Sequence, residues 1–564
     1  MTLPSSTQTR LADLLAKARA QKADSVPVPM IHLVENKSTE INSHALNSDI
    51  SQSTDRFGNI ITFNEQQVQF MNVATKGESC ILIGAAGTGK TSCMKGVVQQ
   101  LITTGYAGIL HSDGHKYLTD STPGIVAVSF TRRAVANLRR AMPDDMKGNC
   151  LTIHAILEYE PIYYSVTDET TGEARNTMRF EPTRTVDRPL PTSIRTCIID
   201  ESSMVSVELF RELQNALPSN CQFIFLGDIQ QLPPVFGSAI LGFKMLELPT
   251  IELVQVYRQA LESPIIRLAH RILSGKPIPH DEYAEWKYPG QLTIHPWKKK
   301  LSPEIAALTI SKFLTTAIEA GAYDPENDMV LIPFNKACGT IEINARVANF
   351  LARKRGAITY EIIAGFNKLY FSTGDKVLYD KEDAVIVDIK INAGYTGAAP
   401  QVSAATLDYW GFNTGEEPTT VKSDSEDSGD DIDFLLSQSV ALSGEDSDRV
   451  RQASHSVTVR MADTDKEVVL DSAADLNSLL LSYALTIHKA QGSEWRKVFL
   501  MLHNSHATML SRELLYTGVT RAKSELYIIC EPDSMVKGIL SQRIKGDTLA
   551  EKSEYFKGKV TTKK

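Results

Sequence analysis

Several features that would define a protein class are missing from this sequence. No apolar run approaches the roughly eighteen residues of a membrane-spanning helix, so an integral membrane protein is not expected. The first ten residues, M-T-L-P-S-S-T-Q-T-R, lack the apolar core of a secretion signal. The seven cysteines are scattered through 564 residues, without a C-x-x-C pair or a Cys/His metal spacing. We therefore expect reduced, mostly buried cysteines in a cytoplasmic protein.

The chain also lacks the excess of positive charge that many nucleic-acid-binding proteins have, because its formal net charge is −8. The segment 415–448, however, contains eleven acidic residues and one lysine, so it carries −10 and leaves +2 for the rest of the chain. Net charge therefore neither supports nor excludes a nucleic-acid partner. The Ser, Asp and Gly content of this segment predicts a disordered, solvated loop; a docking element or a mimic of nucleic acid is the alternative.

The sequence does contain a complete phosphate-binding loop, G-A-A-G-T-G-K-T. Its residues are Gly84, Ala85, Ala86, Gly87, Thr88, Gly89, Lys90 and Thr91. Glycines allow the backbone amides of such a loop to point at a phosphate group. Lys90 is predicted to reach the β- and γ-phosphates, and the Thr91 hydroxyl to bind Mg²⁺. Apolar Cys80–Ile83 predicts a strand before the loop, and a helix can follow it, so we expect a bound nucleotide at the helix N-terminus.

Short apolar strands alternate with helical stretches from Phe63 to about Leu248, which predicts an α/β domain with a parallel sheet. The predicted strands are Cys80–Ile83, Ile125–Phe130, Thr196–Ile199 and Gln222–Leu226. Because ligands of open α/β sheets lie beyond the carboxyl ends of the strands, the polar residues that follow them should meet at one site. Asp200 is predicted to be the acidic Mg²⁺ ligand, and Glu201 to orient or deprotonate the attacking water.

Further strands predict a second α/β domain that a β-rich segment interrupts. These strands are Ile251–Val254, Met329–Ile332, Leu481–Leu485, Val498–Leu502 and Leu526–Cys530. A β-hairpin is predicted in the first domain from Ile162–Val166 and Arg175–Phe180. The expected organisation begins with a disordered tail at 1–55 and a first domain at 56–249, which contains the hairpin at about 160–182. The second domain is expected at 250–365 and 479–535, on either side of an inserted β-rich domain at 366–478 that contains the acidic loop 415–448. A C-terminal tail is expected at 536–564.

The order of the motifs resembles that of superfamily 1B helicases, the branch that includes the RecD and Dda helicases. The matching motifs are Phe63–Gln67, Gly84–Thr91, Leu226–Pro234, Val256–Gln259, Thr486–Glu494 and Leu515–Ala522. The resemblance implies two RecA-like P-loop NTPase domains and an ATP-dependent DNA helicase of a bacterial cytoplasm, which uses ATP and Mg²⁺. It also implies single-stranded and forked or tailed duplex DNA as partners, 5′ to 3′ movement, and a single-stranded-DNA-binding protein or replisome component as a further partner.

The resemblance assigns roles to individual residues around the nucleotide. These are Gln67 at the adenine edge, Tyr257 stacked on the base, Gln231 as the γ-phosphate sensor, Arg258 and Arg521 as arginine fingers, and Gly492 and Glu494 as neighbours of the nucleotide. An arginine finger is worth roughly 10³–10⁵ in rate. Core packing for Tyr257 and a surface salt bridge for Arg521 are the alternatives.

A second set of residues matches the strand-contacting motifs of the family. It comprises Thr131, Arg132, His154, Thr486, His488 and Lys489, and such groups suit phosphate contacts that ignore base sequence. Asn335 and Lys336, after the predicted strand Met329–Ile332, are further candidates for such contacts. For the two histidines, a structural role is the alternative. The hairpin occupies the position of the family's strand-separating wedge, although it can equally be an ordinary structural hairpin. The inserted domain resembles a small SH3-like barrel.

Three other functions are compatible with the same motifs. An RNA or dual-substrate helicase would use the same motor domains. A subunit of a nuclease complex is compatible with the RecD likeness, although the sequence contains no cluster of nuclease carboxylates. A nucleotide-gated loader or scaffold would bind DNA and hydrolyse ATP without separating strands.

Overall fold

The computed structural model describes most of the chain between residues 52 and 561. The described ranges are 52–54, 60–106, 123–167, 174–234, 237–255, 262–297, 300–365, 367–379, 382–392, 452–462 and 465–561. Most of the predicted N-terminal tail, the whole acidic loop 415–448, and the predicted nucleotide contacts Tyr257 and Arg258 lie outside these ranges. None of the described helices is long and apolar enough to cross a membrane.

The first domain alternates strands with helices, as the sequence predicts. Its strands are β1 (Gln52–Thr54), β2 (Ile60–Thr62), β3 (Cys80–Gly84), β4 (Gly124–Ser129), β5 (Cys150–Thr152), β6 (Tyr159–Thr167), β7 (Ala174–Pro182), β8 (Ile194–Asp200), β9 (Gln222–Gly227) and β10 (Thr250–Leu253). Its helices are α1 (Glu65–Thr75), α2 (Lys90–Thr103), α3 (Arg132–Ala141), α4 (Ile153–Ile156), α5 (Val207–Ala216) and α6 (Ile240–Lys244).

Six of these strands form a parallel sheet in the order β10-β3-β9-β8-β4-β5. Successive residues of β3 enter two different cores, Ile81 and Ile83 in one and Cys80 and Leu82 in the other, so both faces of the sheet are covered. Because β3, β9 and β8 are neighbours, their carboxyl ends bring the phosphate loop, Asp228 and the Asp200 region to one edge.

The structure corrects the predicted start of the second domain. The sequence assigned the strand near Ile251 to that domain, but β10 pairs with β3 of the first sheet, with Ile251 opposite Leu82. A single apolar strand contains no signal for the sheet that it joins, so the boundary at 250 is wrong. Similarly, β1 lies inside the predicted tail 1–55 and pairs with β2.

The inserted hairpin of the first domain is present and longer than its apolar residues predict. Strands β6 and β7 pair antiparallel from Tyr159 opposite Pro182 to Thr167 opposite Ala174. The hairpin follows α4 directly along the chain.

The middle of the chain begins the second domain and then forms the inserted one. The first of these parts contains α7 (Pro264–Leu273), β11 (Leu292–Pro296), α8 (Pro303–Glu319), β12 (Met329–Ile332) and α9 (Thr340–Arg355). The inserted domain contains β13 (Thr359–Ala364), β14 (Asn367–Ser372), β15 (Lys376–Tyr379), β16 (Glu382–Ile391), β17 (Gln452–Met461), β18 (Glu467–Ser472), α10 (Ala473–Ser478) and β19 (Leu480–Leu481). Its strands are antiparallel, in the order β14-β13-β17-β16-β15-β19, with β18 also on β17.

Two boundaries of the inserted domain differ from those predicted. Strand β13 belongs to the antiparallel sheet, so the domain begins near Thr359 rather than at 366. The predicted strand Leu481–Leu485 is two strands, because β19 pairs with β15 whereas the next strand joins the second parallel sheet. The pattern of apolar residues does not show where β19 ends and the next strand begins, because both strands are short and apolar.

The chain then completes the second domain with β20 (Ala484–Thr486), β21 (Trp495–Leu502), α11 (Arg512–Val519), β22 (Ala522–Cys530), α12 (Pro532–Leu540) and α13 (Leu549–Thr561). Its parallel sheet has the order β11-β22-β21-β12-β20. The predicted C-terminal tail 536–564 is wrong, because most of it is helical and Phe556 is buried in the first-domain core. The structure therefore contains two α/β domains, each with a parallel sheet, together with an inserted hairpin and a β-rich domain. This confirms the predicted fold class.

Candidate functional site

The phosphate loop has a backbone that only glycine accommodates at several positions. Gly87 and Gly89 have φ angles of 82° and 88°, in the left-handed region. A Cβ on Gly84 would lie 2.4 Å from Oγ1 of Thr88, whose hydroxyl donates to the Ala85 carbonyl at 2.9 Å. Helix α2 begins immediately after Gly89, so its N-terminus faces the loop.

Lys90 lies against the loop that it is predicted to serve. Its Nζ donates to the carbonyls of Gly84 (2.5 Å) and Ala85 (3.2 Å), while the neighbouring Thr91 is exposed. Burial, and then the Glu201 carboxylate, raise the pKa of Asp200 to about 7, and the Lys90 ammonium opposes this shift only in part. Lys90 and the carboxylate pair therefore share one electrostatic environment.

Glu201 occupies an unusual backbone conformation at the end of β8. Its φ of 50° and ψ of 40° place a non-glycine residue in the left-handed region. Such strain costs of order 1–3 kcal/mol and persists only where the surrounding structure enforces it. The next residue, Ser202, contributes to that enforcement, because its hydroxyl donates to the Leu226 carbonyl of β9 at 2.8 Å.

Gln67 contacts the phosphate loop, but through hydrogen bonds to the backbone. It is buried, its Nε2 donates to the Thr88 carbonyl at 3.2 Å, and its Oε1 accepts from the Asn64 amide at 3.0 Å. Oδ1 of Asn64 in turn accepts from the Gln67 amide at 2.9 Å, which completes a capping box at the start of α1. In this arrangement Gln67 supports the loop, and its predicted contact with adenine stays a prediction.

The second domain reaches the phosphate loop through Tyr516 on α11. The Tyr516 hydroxyl accepts from the Ala86 amide at 2.7 Å and donates to Oδ2 of Asp228 at 2.5 Å. Nearby, the Leu232 amide donates to Oγ1 of Thr517 at 3.1 Å, and Nε2 of Gln491 donates to the Leu232 carbonyl at 2.9 Å. The motifs that end β3 and β9 thus contact two motifs of the second domain.

The remaining predicted nucleotide contacts are distributed over this interface. Gln231 is buried, and its Oε1 has no hydrogen-bond partner within the described part of the chain. Arg521 is also buried, but its guanidinium donates to the carbonyls of Thr517 (3.0 Å) and Ser493 (3.2 Å) within its own domain. Glu494 is about half exposed and forms an ion pair with Lys523 at 3.5 Å. None of these contacts joins Arg521 or Glu494 to the phosphate loop.

Gly492 packs against the start of α3 in the first domain. Its φ is 73°, and a Cβ there would lie 2.6 Å from Oγ1 of Thr131. The Thr131 hydroxyl itself caps α3 by accepting from the Ala134 amide at 3.1 Å. The described contacts therefore place Gly492 beside a predicted strand-contacting residue rather than beside the phosphate loop.

The first turn of α3 is where all three domains meet. Arg132 forms an ion pair with Glu382, and Arg133 with Asp383, both at the start of β16 in the inserted domain. The Arg133 guanidinium also lies 5.1 Å from the ring centroid of Trp495 in the second domain. Because Arg132 remains 42% exposed, its predicted phosphate contact is compatible with this ion pair.

The two predicted histidine contacts are largely packed into the protein. The His154 ring lies 5.0 Å from that of Tyr159 and 5.7 Å from that of Phe130. Burial, and to a lesser extent Arg543, lowers the pKa of His488 to about 4, so this side chain is neutral near pH 7. A neutral imidazole can bind a phosphate only through a single N–H, which weakens the electrostatic reason for the prediction.

Asn335 and Lys336 lie in a strained turn after β12. Ala337 and Cys338, the next two residues, have φ angles of 51° and 68°. Oδ1 of Asn335 accepts from the Thr340 hydroxyl at 2.8 Å, whereas Lys336 is exposed. At the end of β20, the Thr486 hydroxyl accepts from the Lys489 amide at 3.2 Å, and Lys489 is exposed.

The residues at the loop fit a nucleoside triphosphate with Mg²⁺. The glycine cradle excludes Cβ atoms, and the helix N-terminus and the Lys90 ammonium favour an anion. Asp200 and Thr91 would supply the hard oxygen ligands that Mg²⁺ prefers. Tyr516 is the residue that sequence reasoning missed. It stands inside the motif Leu515–Ala522, so its position could be predicted, but its contact with the loop required the domain interface.

Comparisons with known proteins agree with this arrangement. A family model described as an AAA domain matches residues 67–237, and one described as a UvrD-like helicase C-terminal domain matches residues 481–529. The chain is 28% identical over 338 residues to the ATP-dependent RecD2 DNA helicase of Deinococcus radiodurans, covering 60% of this chain and 36% of RecD2.

Two further relatives cover different shares of the chain. Similarity to the ATP-dependent DNA helicase dda of Enterobacteria phage T4 is 28% identity over 199 residues, covering 34% of this chain and 37% of that protein. Similarity to the RecBCD enzyme subunit RecD of Mycobacterium tuberculosis is 22% identity over 504 residues, covering 86% of this chain and 72% of that protein. Together with the motif order, these matches confirm the resemblance of the chain to the superfamily 1B helicases.

Proposed function

We propose that this protein is an ATP-dependent DNA helicase that moves 5′ to 3′ along single-stranded DNA and separates the duplex ahead of it. The observation that supports this most is the Tyr516 hydroxyl, which connects the phosphate loop and Asp228 to a helix of the second domain. Hydrolysis at a site built from two domains can be coupled to their relative movement. The relatives named as ATP-dependent DNA helicases support the same function.

Each candidate residue has a defined role in this proposal. Lys90 exchanges its bonds to the loop carbonyls for the β- and γ-phosphates, and Glu201 orients the attacking water. Thr91 and Asp200 would hold Mg²⁺, which neutralises charge on the phosphates when it is bound. Arg521 acts as an arginine finger after it releases the carbonyls of its own domain, so its contribution depends on domain closure.

Substitution of the loop lysine tests the ATPase function directly. Lys90→Ala removes the ammonium beside the phosphates, and we expect DNA-stimulated ATP turnover to fall to background. Lys147→Ala, at a half-exposed lysine paired with Asp144, is the matched control and should keep full turnover. Strong single-stranded-DNA-stimulated turnover by the Lys90→Ala protein would contradict the assignment.

Strand displacement tests the rest of the proposal. With 5′-tailed and 3′-tailed duplexes, we expect unwinding of the 5′-tailed substrate only, and turnover stimulated more by poly-dT than by poly-U. Preference for poly-U would favour an RNA helicase. ATP turnover without displacement on either duplex would favour a loader or scaffold.

A further inference from the structure

The C-terminal segment of the chain leaves the second domain and ends on the first. The segment, Arg543–Phe556, begins in contact with α11, the helix that carries Tyr516. The buried Glu513 carboxylate accepts from the amides of Arg543 (3.0 Å) and Ile544 (3.1 Å), and Nη1 of Arg512 bonds to Oδ1 of Asp547 at 2.6 Å. Two consecutive residues of α11 therefore anchor the start of this segment.

The far end of the segment is packed into the first domain. Phe556 of α13 is 4% exposed and lies in the core that also contains Ile199 and Phe225. A Cβ on Gly242 of α6 would lie 2.3 Å from the Phe556 ring, so that position leaves room for the ring only as glycine. The segment Arg543–Phe556 is therefore a second covalent path between the two domains, separate from the one that follows β10.

Between these two anchors, Lys552 is buried and points at the turn after β9. Its side chain is 1% exposed, and its Nζ donates to Oε1 of Gln230 at 2.8 Å. No carboxylate lies within ion-pair distance of it among the described residues. Burial lowers the pKa of the Lys552 ammonium, and the charges of Glu513 and Asp228 oppose that effect. Burying an ammonium costs folding free energy unless the group is hydrogen-bonded, and the bond to Gln230 offsets part of this cost.

Gln230 is held in the turn that contains the predicted γ-phosphate sensor. Its amide donates to Oδ1 of Asp228 at 2.9 Å, and the Gln231 amide donates to the Asp228 carbonyl at 3.0 Å. The other carboxylate oxygen of Asp228 accepts from the Tyr516 hydroxyl. Lys552 and Tyr516 thus hold the same turn, one through Gln230 and the other through Asp228.

We propose that Lys552 is a positioning residue for the Asp228–Gln231 turn, and that the segment Arg543–Phe556 links the position of α11 to that turn. The inference rests on the proposed ATPase function. Movement of α11 displaces Arg512 and Glu513 and pulls on the start of the segment, whereas Phe556 holds its far end in the first-domain core. The displacement is therefore taken up between the two anchors, where Lys552 bonds to Gln230. Gln231, the next residue, then changes its position relative to the phosphate loop.

Lys552→Met tests this role because it removes the ammonium but fills the buried space with an unbranched apolar chain. Lys557→Met, at an exposed lysine of the same helix, is the matched control. ATP turnover of the full-length proteins is measured with and without oligo-dT. We expect Lys552→Met alone to lower the DNA-stimulated kcat about tenfold, with KM for ATP changed less than about twofold. A purely structural lysine would not produce this separation of kcat from KM.

Gln230→Ala removes the same hydrogen bond from the other side and carries the test if Lys552→Met does not fold. When Lys552 acts through Gln230, the double variant loses no more stimulated turnover than the more damaged single variant. Additive losses, or an unchanged stimulated kcat in either folded single variant, would overturn the proposal. Absence of turnover in the unsubstituted protein would refute the ATPase function itself, and this inference with it.

Discussion

Tyr516 of the second domain contacts the phosphate loop and the turn after β9 through one hydroxyl. Its hydroxyl occupies the Ala86 amide, one of the donors that a phosphate would use, and it satisfies a carboxylate that is 1% exposed. Burial and Asp228 raise the pKa of this phenol well above its usual value, so it remains a donor at neutral pH. The hydroxyl therefore stabilises the phosphate loop and the turn after β9 together.

Tyr516→Phe should destabilise the protein by about 1–3 kcal/mol, because one buried oxygen of Asp228 loses its donor. Urea unfolding followed by circular dichroism measures this change. Tyr555→Phe is the control, since the half-buried Tyr555 hydroxyl makes a 3.3 Å bond to the Arg543 carbonyl and its loss should cost less. Equal losses of unfolding free energy in the two variants would show that the bond from Tyr516 to Asp228 stabilises the protein no more than the bond from Tyr555 does.

At the scale of elements, the start of α3 is where the domains are joined. Gly492 from the second domain approaches Thr131 and Ala134, while Arg132 and Arg133 bind carboxylates of the inserted domain. Glycine is required at 492 for two independent reasons, the positive φ and the 2.6 Å approach to the threonine hydroxyl.

Gly492→Ala should therefore destabilise the contact between the first and second domains by about 1–3 kcal/mol. The measurement is the thermal midpoint of the full-length protein. Gly558→Ala provides the comparison, because a Cβ at Gly558 in α13 meets nothing within 4 Å and alanine raises helix propensity by up to about 1 kcal/mol. A thermal midpoint for Gly492→Ala that matches Gly558→Ala would contradict the close approach.

Elements and motifs that depend only on residues adjacent in the sequence could be predicted. The phosphate loop, Asp200 at the end of its strand, and the strand Met329–Ile332 are of this kind, because turn glycines and apolar runs determine them locally. The partner of β10, the burial of Phe556 and the bond from Lys552 to Gln230 depend on which surfaces meet in three dimensions. A lysine in a helix of mixed composition is ordinarily exposed, so no local pattern marked Lys552 as buried.

At the scale of the whole molecule, buried histidines make stability depend on pH. Burial lowers the pKa of both His488 and His506 to about 4. In the unfolded chain the same groups titrate near 6.5, so the unfolded state binds their protons first as the pH falls. Their contribution to stability is complete above about pH 6.5 and is lost progressively toward pH 4. Asp200 acts in the opposite direction, because its raised pKa makes the folded state bind the extra proton between about pH 4 and 7.

His506→Gln separates one histidine from these opposing groups. Nε2 of His506 bonds to the Ala337 carbonyl at 3.0 Å, and glutamine can keep that donor although it has no proton to gain. Between pH 7.5 and 5.5, the wild-type protein should lose about 1 kcal/mol more unfolding free energy than the variant. The contribution of Asp200 is common to both proteins and cancels in this difference. Urea unfolding at the two pH values measures it, and an equal loss in both proteins would mean that His506 titrates normally in the folded state.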